Sequence, residues 1–354
     1  MSTAAAVPVA AQTRVPVVTP TVLAPQVQMS SDPLKIVTTY KFEPQEIAKI
    51  KAANPKVPIE VVVCNSPAEF REKIRDAEVV YGNLDRVALD LAPKLKWLQS
   101  GAAGMESLDP VVRKSNLVIT NYQRTFAPGI TETGMGMLLC LTRGITTHYM
   151  PQFAKRQMRP VGNVKSADHV ELVGRTMGIV GMGGIGTLLA KRAYYGFDMK
   201  VIATDAKPLP KPHFVEELHD PTYFPQMAKE VDVLVAAAPS VPATDKMFNE
   251  AIFRSMKKTA IFLALSRGSL FDDMALVKAL KEGWIAGAGL DVMPHEPPPS
   301  THPIFDCNNV VMSAHTSGFS PDRQVRLIAL FAENVRRYSE GLPLINVVDK
   351  KRGY

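Results

Sequence analysis

The chain has 354 residues, of which 46% are hydrophobic, and a formal net charge of +7. Single hydrophobic cores stop growing at about 250–300 residues, so this length predicts two domains. The longest apolar runs, such as 231–239, are far shorter than the about 20 residues that cross a bilayer. Three widely spaced cysteines, Cys64, Cys140 and Cys307, match neither a disulfide framework nor a zinc site. We therefore expect a cytoplasmic protein with no membrane partner and no metal.

The basic charge is spread along the chain, and 350–352 is its only tight cluster. A nucleic-acid interface is typically a concentrated basic patch, so we expect no nucleic acid and favour a small anionic substrate. Residues 1–33 carry almost no charge, and prolines interrupt every apolar run. This composition predicts a disordered extension. The alternative, a signal peptide, is disfavoured because no basic segment precedes the first apolar residues and Pro8 breaks them.

Short apolar runs alternate with helix-like stretches from Leu34 onward, a βαβ rhythm that predicts parallel sheets. A long apolar helix at about 128–143 separates two such series. The second series is near-continuously apolar, as in strands covered by helices on both faces. A last helix from about 321 to 341 carries an apolar stripe, and we expect it to return to the first domain. The predicted strands are LKIVTTY, IEVVVC, EVVYG, LKWLQ and NLVIT, then MGIVG, KVIATD, VDVLVAAA, TAIFLAL, GAGLDV and NVVMSA.

A glycine motif follows the first strand of the second series and opens a helix. Gly181 would form the sharp turn, Gly183 would let backbone approach a pyrophosphate, and Gly186 would allow close packing of helix on strand. Asp205 ends the next strand, about 20 residues on, where a carboxylate holds the adenosine ribose hydroxyls. The alternative is a glycine turn with a solvent-facing aspartate in an unrelated protein. The residues predicted to bind the dinucleotide here are Gly181, Gly183, Gly184, Ile185, Gly186 and Asp205.

Asp205 also favours NAD over NADP, because its charge would repel a 2′-phosphate. Lys207 could pair with such a phosphate, but a solvated surface lysine is the commoner case.

Three further segments resemble the D-2-hydroxyacid dehydrogenase family in order, spacing and flanking residues: LALSRGSLFDDMALVKALKEGWIAGAGLDVMPHEPPP, NNVVMSAHTSGFSP and LKWLQSGAAGMESLD. They match its Arg-Gly turn, its L-D-V followed by Glu-Pro, and its His followed by small residues. The resemblance runs from about Leu34 to the end of the chain. It implies that Arg267 is the catalytic arginine, Glu296 the carboxylate partner and His315 the acid/base.

Each of these roles also has a chemical reason. A histidine can deliver a proton to the carbonyl oxygen of a 2-oxoacid near neutral pH, which suits His315. A carboxylate on the other ring nitrogen fixes the tautomer, which suits Glu296. The guanidinium of Arg267 can bind the substrate carboxylate and polarise the carbonyl. Taken singly, each could be an ordinary loop residue, but all three fall at the carboxyl ends of predicted strands, where open α/β sheets bind ligands.

In the first domain, a loop of small residues follows the strand LKWLQ, and small side chains there leave backbone amides open to a carboxylate. The alternative is a plain strand-to-helix turn, which would have the same kind of sequence. By resemblance this loop binds substrate through Ala102, Ala103 and Gly104, together with Arg267. Also by resemblance, Ala238, Pro239, Leu265, Ser266 and Asp291 border the cofactor, with Asp291 near the nicotinamide amide.

Two departures from the family pattern bear on cofactor and substrate. Relatives often have arginine where this chain has Gly184, so one contact to the pyrophosphate is missing. The segment 149–171, which in relatives forms an arm across a dimer, lacks the tryptophan that caps the substrate in some of them. Met150, Phe153 and Met158 could line that region instead, although packing at a dimer interface is the commoner use of such side chains.

The resemblance implies an α/β protein of two doubly wound parallel-sheet domains. The predicted flavodoxin-like substrate domain comprises residues 34–124 plus 321–354, and the predicted Rossmann NAD-binding domain comprises residues 125–320. The predicted function is an NAD(H)-dependent 2-oxoacid reductase, as a homodimer. Two alternatives stay open: a phosphite dehydrogenase with a similar triad, and an NADH-sensing, corepressor-like binding protein.

Overall fold

The first sheet of the computed structural model contains five parallel strands. The model describes residues 33–106, 108–157 and 169–354, so the predicted extension up to residue 32 lies outside the described residues. The strand order is β2-β1-β3-β4-β5, the arrangement of flavodoxin-like sheets. The strands are β1 (Leu34–Thr38), β2 (Ile59–Val63), β3 (Val79–Tyr81), β4 (Trp97–Gln99) and β5 (Val118–Thr120).

The second sheet contains seven parallel strands in the order β12-β11-β10-β9-β6-β7-β8. Read from β8, this is the Rossmann order with one further strand beyond the sixth. The central strands are buried along their whole length, which explains their continuous apolar sequences. The strands are β6 (Thr176–Val180), β7 (Lys200–Thr204), β8 (Glu217–His219), β9 (Val233–Ala236), β10 (Ile261–Ala264), β11 (Gly287–Leu290) and β12 (Val310–Met312).

Helices cover both sheets, and two of them, α5 and α11, reveal how the chain crosses between sheets. The α-helices are α1 (Pro44–Lys51), α2 (Pro67–Lys73), α3 (Arg86–Asp90), α4 (Pro110–Lys114), α5 (Ala127–Thr142), α6 (Met150–Ala154), α7 (Gly184–Phe197), α8 (Phe224–Glu230), α9 (Glu250–Ser255), α10 (Asp273–Lys281) and α11 (Pro321–Ser339). Although α5 directly follows the first sheet in sequence, it packs against α7 and against β10, β11 and β12. The crossover to the second sheet therefore precedes α5.

The last helix returns to the first sheet, as the sequence predicts. Its start is set by Ser320, whose hydroxyl accepts a hydrogen bond from the backbone N–H of Arg323 at 3.1 Å, with Pro321 at the first helical position. α11 packs against α1, and its buried Phe331 and Tyr338 lie with ring centroids 5.7 and 5.3 Å from Trp97 of β4. Aromatic contacts thus attach the end of the chain to the first core.

The predicted fold class is confirmed, and the predicted strands are all present. The edge strand β8 escaped prediction because it has three residues and none of them is buried. No helix in the described part of the chain is long and apolar enough to cross a bilayer.

Candidate active site

The glycine motif lies where β6 meets α7, and a different feature of the geometry explains why each of these positions is a glycine. Gly181 has φ +99° and lies against Ala238, so a side chain there would meet backbone atoms at 2.8 Å. A Cβ on Gly186 would lie 1.9 Å from the carbonyl oxygen of Gly181. A Cβ on Gly183, by contrast, would meet nothing within 4 Å, so this face of the loop is open. The loop is therefore tightly packed beneath and open above, as an anion-binding cradle requires.

Asp205 follows β7 and is fixed beside this cradle. One carboxylate oxygen accepts a hydrogen bond from the N–H of Met182 at 2.7 Å, and the other accepts one from the N–H of Lys207 at 2.7 Å. The Lys207 ammonium lies 4.3 Å from the centroid of the Tyr354 ring. Burial lowers the pKa of Lys207, and the Asp205 charge opposes that shift. Lys207 is thus a half-buried neighbour of the acid, contrary to our expectation of a solvated side chain.

Arg267 lies in the turn just after β10. Its Nη1 donates a hydrogen bond to the carbonyl oxygen of Ser266 at 2.8 Å, which fixes the direction of the side chain. The next residue, Gly268, packs so closely on the following loop that a Cβ would lie 1.9 Å from the carbonyl oxygen of Met293. This close approach explains the Arg-Gly pair and brings Arg267 beside the loop that carries Glu296.

Glu296 and His315 form a hydrogen-bonded pair. Oε2 of Glu296 lies 2.7 Å from Nδ1 of His315, while its Oε1 accepts a hydrogen bond from the N–H of Met293 at 2.8 Å. The carboxylate is therefore fixed on both sides. Nε2 of His315 has no hydrogen-bond partner among the described residues, so it is available to a ligand.

The loop that carries His315 is held by Asp291, which is 2% exposed. Oδ1 of Asp291 accepts hydrogen bonds from the hydroxyl of Ser313 at 2.7 Å and the N–H of Ser317 at 3.1 Å. Its other oxygen accepts one from the hydroxyl of Ser317. His315 itself has φ +55°, and its N–H donates to the carbonyl oxygen of Asp291 at 2.8 Å. These contacts stabilise an uncommon backbone conformation at the histidine.

The side chains of Arg267, Glu296 and His315 share one pocket of about 210 Å³. A larger pocket of about 460 Å³ lies near the end of α7 and includes Lys200, at the amino end of β7. Because ligands of such sheets bind at the carboxyl ends of the strands, the smaller pocket is the candidate active site. It is lined by Arg267, Gly268, Ser269, Met293, Pro294, Glu296 and His315.

The small-residue loop after β4 reaches the same place. A Cβ on Gly104 would lie 2.3 Å from Nη2 of Arg267, so the arginine packs on this loop. The backbone amides of Ala103 and Gly104 make no hydrogen bond within the described residues, while Ala102 is held by Ser100 at 3.3 Å. Two amides without a hydrogen bond in the described residues therefore lie in a loop that contacts a guanidinium, an arrangement suited to a carboxylate.

Sequence reasoning missed Glu106, two residues beyond this loop. Its Oε1 accepts a hydrogen bond from Nε of Arg267 at 3.0 Å, and the two side chains form an ion pair. An acidic residue next to a proposed carboxylate-binding loop could have been recognised in the sequence as a candidate site residue. Its contact with Arg267 depends on how the two sheets are placed.

The other residues predicted to border the cofactor lie in loops that follow the strands of the second sheet, except Ile185, which lies in the first turn of α7. Ser266 donates a hydrogen bond to the carbonyl oxygen of Ala236 at 3.2 Å, and Pro239 accepts one from Thr244 at 2.7 Å. Leu265 packs against Gly134 of α5. Ala238 lies against the first glycine of the cradle, and Ile185 packs on the adjoining core. Their contacts with cofactor stay predictions.

Comparison with known proteins identifies the family of the chain. Residues 135–317 match the family model described as D-isomer specific 2-hydroxyacid dehydrogenase, NAD binding domain. The chain belongs to the D-isomer specific 2-hydroxyacid dehydrogenase family. It is an oxidoreductase that acts on a CH–OH group with a nicotinamide cofactor.

Relatives with assigned activities cover most of the chain. It is 32% identical over 293 residues to a glyoxylate reductase of Korarchaeum cryptofilum, covering 79% of this chain and 85% of that one. It is 29% identical over 299 residues to a D-3-phosphoglycerate dehydrogenase of Methanocaldococcus jannaschii, covering 82% of this chain and 55% of that one. Among solved structures, an NADPH-dependent glyoxylate/hydroxypyruvate reductase from Sinorhizobium meliloti, in complex with NADP and sulfate, superposes with a TM-score of 0.72 at 26% identity. That superposition covers 90% of this chain and 99% of the other.

Proposed function

We propose that the protein reduces a small 2-oxoacid to the D-2-hydroxyacid, with NADH as hydride donor and His315 as the acid. The observation that carries this proposal is the pocket shared by Arg267, Glu296 and His315. With Nδ1–H of His315 donating to Oε2 of Glu296 over 2.7 Å, Nε2 would be the proton donor to the substrate. Relatives of this chain are named glyoxylate reductases, which supports a substrate of this class.

In this mechanism Arg267 and the open amides of Ala103 and Gly104 bind the substrate carboxylate from opposite sides. The guanidinium also lies near the negative charge that develops on the carbonyl oxygen as hydride arrives. His315 gives its proton to that oxygen, and Glu296 holds the ring in the productive orientation. The bound nicotinamide supplies the hydride. Closure of the cleft between the proposed domains, 34–124 plus 321–354 and 125–320, would exclude water.

The experiment is NADH oxidation by the purified protein with glyoxylate, hydroxypyruvate and larger 2-oxoacids, followed by absorbance. We expect turnover, with D-glycerate as the product from hydroxypyruvate. Replacing His315 with alanine should lower kcat by about 10²- to 10⁴-fold, the usual contribution of a positioned acid. Equal rates in wild type and variant would refute the assigned acid. Reduction of NAD⁺ by phosphite, without 2-oxoacid turnover, would instead favour the phosphite alternative. NADH binding without turnover of either substrate would favour the binding-protein alternative.

We further propose a preference for NAD(H) over NADP(H). The carboxylate of Asp205, fixed by the amides of Met182 and Lys207, would face a 2′-phosphate with like charge. Comparing Kd values for NADH and NADPH in wild type and Asp205→Ala tests this. The wild type should bind NADH more tightly, and the variant should lose part of that difference.

We also propose a homodimer in the cytoplasm. Four apolar side chains in and just before α6 are exposed in the single chain, from 39% for Ile145 and Tyr149 to 83% for Phe153. Exposed apolar clusters of this kind mark protein interfaces. The unpaired cysteines suit a reducing compartment. In analytical ultracentrifugation the wild type should sediment as a dimer, and Phe153→Ser should dissociate into monomers at higher protein concentrations than the wild type does. The exposed side chains are Ile145, Tyr149, Met150 and Phe153.

A further inference from the structure

The cofactor cradle has an unusual neighbour in Arg124, which lies between the two sheets. A Cβ built on Gly184 would lie 2.5 Å from Cα of Arg124, 2.9 Å from its Cβ and 2.8 Å from its Cγ. The arginine therefore occupies the space that a side chain at Gly184 would need, at the first turn of α7. This contact explains why residue 184 is glycine, and it places a cation at the cradle.

The backbone of Arg124 is also uncommon. Its φ is +71°, a left-handed conformation that residues with a side chain rarely adopt and that glycine adopts without strain. Such conformations cluster at functional sites, where the side chain is needed despite the strain. The positive φ at Arg124 therefore points to a function for its side chain.

The guanidinium is partly withdrawn from water without a protein partner. Burial lowers the pKa of Arg124, and the nearby negative charge of Asp205 opposes the shift. Within the described ranges, however, its side chain has no ion pair or hydrogen bond. Asp205 accepts a hydrogen bond from the N–H of Met182, and the Arg124 side chain begins against Gly184, so both charged groups lie at the same glycine turn as the open face of Gly183. Removing a cation from water without a partner costs free energy, unless a bound ligand supplies the opposite charge.

We propose that Arg124 binds the pyrophosphate of the dinucleotide and replaces the cationic contact that Gly184 cannot make. The planar fork of a guanidinium suits two phosphate oxygens at once. This inference rests on the proposed binding mode, with the adenosine ribose at Asp205 and the pyrophosphate over Gly183. Because Arg124 belongs to the link between the sheets, the same contact ties dinucleotide binding to the position of that link.

The test is the Kd for NADH, measured by fluorescence titration of Arg124→Gly and Arg124→Lys. Glycine removes the side chain and relieves the backbone strain, so the fold is preserved. We expect the Kd of Arg124→Gly to rise about tenfold or more, as for loss of a hydrogen bond to a charged group, and lysine to restore part of the affinity. Arg156→Gly is the matched control, since Arg156 is exposed and has φ +57°. Its Kd should stay that of the wild type.

Competition by adenosine, which lacks the pyrophosphate, separates a phosphate contact from a structural role. Arg124→Gly should leave adenosine binding unchanged. An unchanged NADH Kd in Arg124→Gly, or an equal loss of NADH and adenosine binding, would overturn the inference while the proposed function stands. Failure of the wild type to bind NADH would overturn both.

Discussion

Replacing Glu106 with glutamine should strengthen substrate binding. Nε of Arg267 donates a hydrogen bond to Oε1 of Glu106 at 3.0 Å. If Arg267 binds the substrate carboxylate, as proposed, the incoming carboxylate must displace that of Glu106. Glutamine keeps the length and shape of the side chain while removing its charge. The variant therefore removes an internal competitor and leaves the arginine in place.

The size of the effect follows from the exposure of the pair. The side chains of Arg267 and Glu106 are 32% and 44% exposed. Pairs this exposed contribute about 0.2–1 kcal/mol. With about 1.4 kcal/mol per tenfold change in affinity, the KM for hydroxypyruvate should fall about 1.4- to 5-fold. The value of kcat should change little, because the pair is already broken when substrate is bound.

The assay is steady-state kinetics at saturating NADH, together with inhibition by oxalate, a nonreacting carboxylate. Its inhibition constant should fall in parallel with KM. Glu250→Gln is the matched control, because it removes the same charge from an exposed ion pair with Arg254 on α9. A higher KM in Glu106→Gln would refute the reasoning, since it would mean that Glu106 positions Arg267 for the substrate.

Three other substitutions test separate parts of the structure. Glu296→Gln removes the charged partner of His315 and should lower kcat at least about tenfold with an unchanged Kd for NADH; a normal kcat would contradict the orienting role. Gly186→Ala places a methyl group 1.9 Å from a carbonyl oxygen of the cradle and should weaken NADH binding at least about tenfold. Gly136→Ala on α5 is its control, because a Cβ there meets nothing within 4 Å and NADH binding should not change. Phe331→Ala empties a fully buried position and should lower the free energy of unfolding by about 3–5 kcal/mol in urea titrations; a smaller loss would mean that the aromatic cluster relaxes into the space.

Much of the fold was predictable because its signals are local. Strands buried on both faces have continuous apolar sequences, and Gly186 is required by its contact with Gly181 in the same turn. The strand β8 was not predictable, since a short edge strand without buried side chains has no periodic pattern.

The candidate site was predictable in its residue types but only partly in its geometry. Arg267, Glu296 and His315 each follow a strand, so their meeting at one edge of the sheet could be inferred from topology. Their roles in catalysis and the proposed domain boundaries stay predictions. The buried anchor Asp291 was expected beside the nicotinamide, and its hydrogen bonds to the His315 loop emerged only from the structure.

Local sequence signals predict the two sheets, the glycine turn between β6 and α7 and the types of residue at the strand ends, because hydrophobic periodicity and turn-forming glycines act over short distances along the chain. The contact of Glu106 with Arg267 and that of Arg124 with Gly184 are seen only in the folded chain. Both contacts join elements of different sheets, and they depend on how those sheets are placed, which no local pattern of residues encodes.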